Sequence, residues 1–183
     1  MKESELKIVI VGTSGSGKST LARKISDILE CDHIELDCYA WMPDWTKKED
    51  KVLLEDVKVA CSRSSWVSCG NYSVTRDVVW GQATHLLWLR FPFPVVFWRI
   101  LKRTMRRIIH KEPIAGGNIE TFWQQFFTKD SIFLWIFKTH WRRVRVYSKI
   151  LDEGVYPSLK VIVFRSQRQV DAWLEKLKKG EVS

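Results

Sequence analysis

Residues 12–19 read Gly12-Thr-Ser-Gly-Ser-Gly17-Lys18-Ser19 and directly follow the apolar, β-branched run 6–11. That run predicts a buried parallel strand, and the apolar side chains of 19–29 recur at the spacing of a helix. The eight residues match G-x-x-x-x-G-K-[ST], in which glycines let backbone N–H groups turn inward around an anion. A helix N-terminus adds partial positive charge. We therefore predict a phosphate-binding loop formed by Gly12, Thr13, Ser14, Gly15, Ser16, Gly17, Lys18, Ser19 and Thr20.

The two polar side chains that end the motif have separate expected roles. The ammonium group of Lys18 should reach the β and γ phosphates and act in catalysis, and the hydroxyl of Ser19 should ligate Mg²⁺. A chance glycine–serine turn is the alternative, and the strand–loop–helix context argues against it. The expected ligands are therefore a nucleoside triphosphate, ATP, and Mg²⁺.

Four more short apolar runs predict strands, at 34–36, 66–69, 84–89 and 159–164, and helical segments separate them. This alternation predicts an α/β fold with three layers, a five-stranded parallel sheet between helices, as in P-loop NTPases. A capping box, Thr46 with Glu49, predicts a helix start. A chain of 183 residues fits a single domain, 1–183, with a core at 1–91 and 155–183 and a helical lid region at 92–154.

Composition limits the partners and the compartment. The net charge is +9, and residues 99–111 and 138–149 are basic without any acid, which leaves nucleic acid open as a partner. The four cysteines form no C-x-x-C pair and no zinc pattern, so we expect free thiols and a cytoplasmic location. No apolar stretch approaches the roughly 18 residues that a membrane helix needs.

Further segments carry a family resemblance. They include Leu36-Asp37 with Trp41-Met42-Pro43-Asp44-Trp45, Gly70-Asn71-Tyr72-Ser73, Thr75-Arg76-Asp77, Trp98-Arg99 with Arg103-Thr104, Gly117-Asn118 and Lys138-Thr139-His140. Together with the loop they resemble the FlaR-like (DNA topology modulation protein-related) P-loop NTPases, among the adenylate-kinase-like small-molecule kinases. The resemblance implies a nucleotide-kinase-like core, an acceptor-side region near 37–76 and an arginine-bearing lid.

The chain departs from that family at two positions. Cys69 stands where the family usually has an aspartate before Gly-Asn-Tyr, and Arg90 stands where it usually has an acid after the fourth strand. In adenylate-kinase-like enzymes the first of these acids orients water on Mg²⁺. Both changes remove negative charge near the metal, which leaves open an ATP-binding module with little turnover.

The remaining candidates divide into acceptor, lid and base-binding residues. Asp37 could activate an acceptor hydroxyl or hold Mg²⁺ through water, or it could be an ordinary turn carboxylate. Arg99 and Arg103 share a helix face and are predicted lid arginines that neutralise the γ-phosphate, with solvent or nucleic-acid contact as the alternative. Arg165 and Ser166 follow the last strand, where the resemblance implies an adenine site, and Ser166 is also predicted to cap the last helix. The predicted acceptor-binding residues are Asp37, Trp41, Asn71, Tyr72 and Arg76.

The sequence thus predicts a kinase that transfers the γ-phosphoryl group of ATP to a small acceptor, such as a nucleoside or nucleotide. The alternatives are a nucleotide-dependent nucleic-acid-binding protein and an ATP-binding module with little turnover. His140, Arg142 and Arg143 could close over the phosphates from the other side, although a solvated basic helix face explains them equally well.

Overall fold

A computed structural model describes residues 6–113, 117–119, 121–128 and 131–181. Its centre is one parallel sheet of five strands in the order β2-β3-β1-β4-β5. The strands are β1 (Lys7–Gly12), β2 (Asp32–Glu35), β3 (Trp66–Cys69), β4 (His85–Leu89) and β5 (Lys160–Phe164). Strand β1 is central because its residues Ile8 to Val11 are buried on both faces of the sheet. The predicted α/β fold with five parallel strands is confirmed.

Eight α-helices accompany these strands in the part of the chain that the structure describes. They are α1 (Lys18–Leu29), α2 (Leu36–Ala40), α3 (Asp50–Cys61), α4 (Arg76–Gln82), α5 (Phe93–His110), α6 (Phe122–Phe127), α7 (Ile132–Asp152) and α8 (Gln167–Lys178). One apolar cluster joins α1, α5 and α8 to the sheet, and Ile25 and Ile100 lie at its centre. A second cluster, which includes Leu53 and Trp80, packs α3 and α4 on the other face. The sheet therefore lies between two layers of helices.

The N-terminal caps of the last two helices follow from local sequence. The Ser166 hydroxyl accepts from the backbone N–H of Gln169, which confirms the cap predicted there. The Ser131 hydroxyl accepts from the backbone N–H groups of Phe133 and Leu134, which starts α7. This cap fixes Ile132 as the first residue of α7.

The capping-box prediction at Thr46 and Glu49 is wrong. Helix α3 begins at Asp50, and Glu49 precedes it without a side-chain cap bond. Lys47 instead forms an antiparallel bridge with Trp41, and the backbone N–H of Met42 donates to the Thr46 carbonyl. This pairing holds the segment extended, so a non-local contact overrides the local capping signal.

The segment after α5 is tied to the acceptor-side region. The side chain of Asn118 is buried; it accepts from the Trp45 N–H at 2.9 Å and donates to the Met42 carbonyl at 3.1 Å. The mobile loop that Pro113 and the glycine pair suggest at 111–120 is therefore anchored at Asn118, while residues 114–116 and 120 lie outside the described residues. Within the described ranges, no helix combines the length and apolarity needed to cross a membrane.

Candidate active site

The loop between β1 and α1 depends on glycine at particular positions. Gly15 has φ 77°, and a Cβ built on it would lie 2.3 Å from Cγ1 of Ile100 on α5. At Gly12 an added Cβ would lie 2.8 Å from the Leu89 carbonyl oxygen. Both contacts are closer than a real Cβ can approach, so only glycine lets the loop pass between β4 and α5. Glycine therefore stands at Gly12 and Gly15 because the path of the loop leaves no room for a side chain, and the phosphate-binding role stays a prediction.

Lys18 is the first residue of α1, and its ammonium group points back into the loop. Its Nζ donates to the Thr13 carbonyl at 3.2 Å. The pKa of Lys18 is lowered to about 8, mainly by burial and in part by the neighbouring cation Arg143, while the carboxylate of Asp37 acts in the opposite direction. The charged form of Lys18 therefore lacks a full counter-charge, and an incoming polyphosphate would supply one.

A carboxylate that sequence analysis missed lies beside Ser19. The Ser19 hydroxyl donates to Oε1 of Glu35 at 2.5 Å. Glu35 ends β2, and the parallel register places it opposite Cys69 on β3. A hydroxyl and a carboxylate at one point are hard oxygen ligands of the kind Mg²⁺ prefers, and Mg²⁺ commonly uses only one or two carboxylates. An acid at the carboxyl end of a strand was the signal available in the sequence.

Cys69 occupies the position where the resemblance leads one to expect an aspartate. Its Sγ lies 3.7 Å from the Ser19 Oγ and 3.4 Å from Nε2 of His33. Burial raises the pKa of the Cys69 thiol to about 12, so this group stays neutral. The negative charge beside Ser19 thus comes from Glu35 on the neighbouring strand.

Two predicted acceptor residues meet in one hydrogen bond. The Tyr72 hydroxyl donates to Oδ1 of Asp37 at 2.8 Å. Burial and the negative charge of Asp37 raise the pKa of Tyr72 well above its usual value, so its proton stays in place. Trp41, which follows α2, packs edge-on against Trp45 with ring centroids 6.1 Å apart. Arg76, at the start of α4, places its guanidinium 5.6 Å from the ring centroid of Trp80.

Asn71 connects the loop to α7. Its Nδ2 donates to the Gly12 carbonyl at 2.7 Å, and its Oδ1 accepts from the Tyr147 hydroxyl at 2.9 Å. Asn71 therefore lies beside the loop, just after the end of β3. Its acceptor-binding role stays a prediction. The sequence did not predict the contact between Asn71 and α7, because Tyr147 is 76 residues away in the chain.

Helix α7 lies against the loop at a second point. The Thr13 hydroxyl lies 3.1 Å from Nδ1 of His140, and both side chains are buried. Burial lowers the pKa of His140, so the ring is neutral near pH 7. His140, Arg143 and Tyr147 recur at helical spacing and share one face of α7. Arg143, which sequence analysis left between two interpretations, therefore points toward the loop.

The two predicted lid arginines lie in different places around the loop. Arg99 donates to the Ser16 carbonyl at 3.2 Å and to Oε1 of Gln167 at 3.0 Å, and its guanidinium lies 4.9 Å from the centroid of the Phe91 ring. It therefore occupies the flank of the loop that faces α8. Arg103 lies near enough to Lys18 for its charge to lower the pKa of Lys18, as Arg143 also does with a larger effect. Arg99 therefore touches the loop directly, and Arg103 acts on Lys18 through its charge.

Arg165 lies on the same flank as Arg99. It is exposed, and its backbone N–H donates to Oε1 of Gln169 at 2.6 Å. The neighbouring Gln167 contacts Arg99. The adenine-lining role of Arg165 stays a prediction, and the contacts place Arg99 beside the same region.

Comparison with solved structures identifies the fold. A gluconokinase from Sinorhizobium meliloti aligns over 98% of this chain and 97% of its own length, with a TM-score of 0.52 and 17% identity. A shikimate kinase from Acinetobacter baumannii, in complex with shikimate, aligns over 98% of this chain and 97% of its own length, with a TM-score of 0.53 and 13% identity. The chain shares the fold of these kinases. A shikimate kinase from Bacteroides thetaiotaomicron aligns over 95% of this chain and 96% of its own length, with a TM-score of 0.54 and 14% identity.

Sequence comparison adds less. No family model matches this chain, so the resemblance to FlaR-like proteins stays a prediction. An uncharacterized protein of Bacillus subtilis, YqaC, is 28% identical over 116 residues, which make up 61% of this chain. The match spans 63% of the length of that relative. The fold assignment therefore rests on structural similarity alone.

Proposed function

We propose that this chain binds ATP and transfers its γ-phosphoryl group to a hydroxyl of a small acceptor, with a nucleoside or nucleotide as one candidate class. The observation that carries the proposal is the hydrogen bond between Tyr72 and Asp37, whose carboxylate lies near enough to the loop to raise the pKa of Lys18. It places an acid that pairs with an acceptor-side tyrosine near the ammonium group that points into the loop. A cation for the phosphates and a base for a hydroxyl in one cleft are what phosphoryl transfer requires.

The proposed division of labour follows the contacts. The loop amides and Lys18 hold the β and γ phosphates, and Arg103 adds positive charge near the group in transfer. Ser19 and Glu35 would hold Mg²⁺, which when bound neutralises charge on the phosphates. The segment 92–154 would act as the lid over a core formed by 1–91 and 155–183.

Asp37 is the proposed general base. It accepts the proton of the acceptor hydroxyl while that oxygen forms a bond to the γ-phosphorus, and the bond from phosphorus to the β-phosphate oxygen breaks to release ADP. Tyr72 keeps its proton and donates it in a hydrogen bond to Asp37, which orients the carboxylate. Turnover by this route does not need an acid at Cys69, because Glu35 supplies the charge beside Ser19.

Calorimetric titration of ATP in Mg²⁺ buffer tests the first half of the proposal. Lys18→Ala should weaken ATP binding by about 10- to 100-fold, since a charge-assisted hydrogen bond is lost. The matched control is Lys24→Ala, because Lys24 lies on α1 with its side chain exposed. Equal ATP affinity in the wild type and Lys18→Ala would refute ATP binding at the loop.

A second candidate, nucleotide-dependent nucleic-acid binding, has one observation in its favour. Helices α5 and α7 expose Trp98 and Trp141 among basic residues, and the chain carries a net charge of +9. Lys102 already covers the face of Trp98, with its ammonium 5.2 Å from the ring centroid, which reduces the area available for stacking a base. Binding to a DNA oligonucleotide that falls steeply with salt and responds to ATP would favour this candidate.

A further inference from the structure

Arg143 is a cation with unused hydrogen-bonding capacity. Its Nη1 is buried and makes no hydrogen bond within the described residues. No carboxylate in the described ranges forms a salt bridge with it. Its guanidinium carbon lies 5.8 Å from the ring centroid of Trp135. A donor in this state is costly unless a ligand satisfies it.

The groups around Arg143 place it on the acceptor side of the cleft. Burial lowers the pKa of Arg143, as does the neighbouring Arg142, whereas Tyr147, Asp37 and Tyr72 lie near enough to raise it. One turn later on α7, the Tyr147 hydroxyl donates to Asn71 at the end of β3. Asp37 already accepts from Tyr72. One turn earlier on α7, His140 meets the loop at Thr13. Arg143 therefore lies between the loop and the Asp37–Tyr72 pair, near the group that would receive the phosphoryl.

We propose that the acceptor carries an anionic group, a carboxylate or a phosphate, in addition to its reacting hydroxyl, and that Arg143 binds this group. The proposal rests on the function proposed above. A guanidinium matches both anions, because its paired N–H groups meet two oxygens at once. Asp37 would repel an anion directly beside it, so the anionic group must face Arg143 while the hydroxyl faces Asp37. Charge would thus fix the orientation of the acceptor.

Three six-carbon probes test this inference by calorimetry, with the protein saturated by Mg²⁺ and a non-hydrolysable ATP analogue so that the loop is filled. Gluconate carries a carboxylate, glucose 6-phosphate a phosphate, and glucitol no charge. We expect at least one anion to bind, and glucitol to bind at least about 10-fold more weakly, since a charge-assisted contact is lost. Preference for one anion over the other identifies the anionic group. Failure of both anions to bind would overturn the inference.

Variants of Arg143 separate recognition of the acceptor from binding of ATP. Arg143→Met should weaken binding of the preferred anion by about 10- to 100-fold, and Arg143→Lys should recover part of it. Affinity for the ATP analogue should fall less than affinity for the anion, because Lys18 and the loop provide most of that site and Arg143 acts on Lys18 only through its charge. The control Arg142→Met removes an exposed neighbouring cation. Equal loss of ATP and anion affinity in Arg143→Met would overturn the inference, because Arg143 would then belong to the phosphate site.

The melting temperature of Arg143→Met distinguishes an arginine that binds the acceptor from one that stabilises the fold. An arginine that stabilises the fold lowers the melting temperature when it is replaced. Arg143→Met should leave it unchanged or raise it, because a buried charge without a counter-ion is removed. A large drop in the melting temperature, with anion binding unchanged, would overturn the inference. Failure of the proposed ATP site has a different signature, namely an unchanged ATP affinity in Lys18→Ala.

Discussion

The change Glu35→Gln tests whether the carboxylate beside Ser19 serves a metal ion. It removes one negative charge but keeps an oxygen that can accept a hydrogen bond from the Ser19 hydroxyl. In the wild type that hydroxyl lies 2.5 Å from Oε1 of Glu35. If the hydroxyl keeps donating to the carboxylate while it binds the ion at about 2 Å, the ion would lie about 4 Å from the carboxylate, and Glu35 would act on it through Ser19. A divalent ion and a unit charge at 4 Å interact by about 2 kcal/mol in a water-like dielectric. That energy corresponds to about a 30-fold loss of Mg²⁺ affinity, within the 10- to 100-fold range that outer ligand changes produce.

The assay is the Mg²⁺ concentration that gives half-maximal ATP binding, measured by calorimetry at fixed ATP. Glu35→Gln should raise this concentration about 30-fold, while ATP binding without metal stays within about 3-fold of the wild type. The control is Glu55→Gln, because Glu55 is exposed on α3 and pairs with Lys58. An unchanged Mg²⁺ requirement in Glu35→Gln would refute the assignment of Glu35 to the metal.

Three other changes test separate parts of the site. Gly15→Ala should lower the free energy of unfolding in urea by about 2 kcal/mol or more, because a residue in the left-handed conformation acquires a Cβ that overlaps Ile100. The control is Gly81→Ala, because a Cβ added there meets nothing within 4 Å. The pKa of Lys18 is lowered to about 8 in the folded protein, so the unfolded chain binds more protons between about pH 8 and 10.5 and the unfolding free energy should rise with pH there. Lys18→Met should abolish that contribution and Lys24→Met should retain it, and equal pH slopes in both variants would contradict the burial of the charge. Cys69→Asp should lower the half-maximal Mg²⁺ concentration and the melting temperature, since it places a second carboxylate opposite Glu35 in the register; an unchanged Mg²⁺ requirement relative to Cys69→Ser would show that position 69 does not face the metal.

Local sequence was sufficient for the loop and the strands. The glycines of 12–17 and the apolar runs before them carry their own conformational preference, so the motif predicted both the conformation and the position of Lys18. The Ser166 cap was predictable for the same reason, because its partner is only three residues away. The failed cap at Thr46 shows the limit, since the bridge between Trp41 and Lys47 outweighed the local signal.

Contacts between distant residues were not predictable from these patterns. Glu35 reaches Ser19 only because β2 pairs with β3 next to β1, and the strand order has no local signature. His140 lies 127 residues from Thr13 in the chain, and an amphipathic pattern does not say which element its face will meet. The same limit left Arg143 between a solvent role and a site role. Side chains that reach the site across the fold are therefore the ones that needed the structure.

The central claim is phosphoryl transfer, and one measurement addresses it directly. The protein is incubated with Mg²⁺, ATP labelled with ¹⁸O in its γ-phosphoryl group and gluconate, glucose 6-phosphate or glucitol, and the products are weighed by mass spectrometry. We predict that the labelled phosphoryl group appears on an acceptor. The rate of this transfer should fall at least about 100-fold in Asp37→Asn with ATP binding retained, since a positioned base contributes that much. Label found only in inorganic phosphate, at a rate that no acceptor changes, would contradict the account.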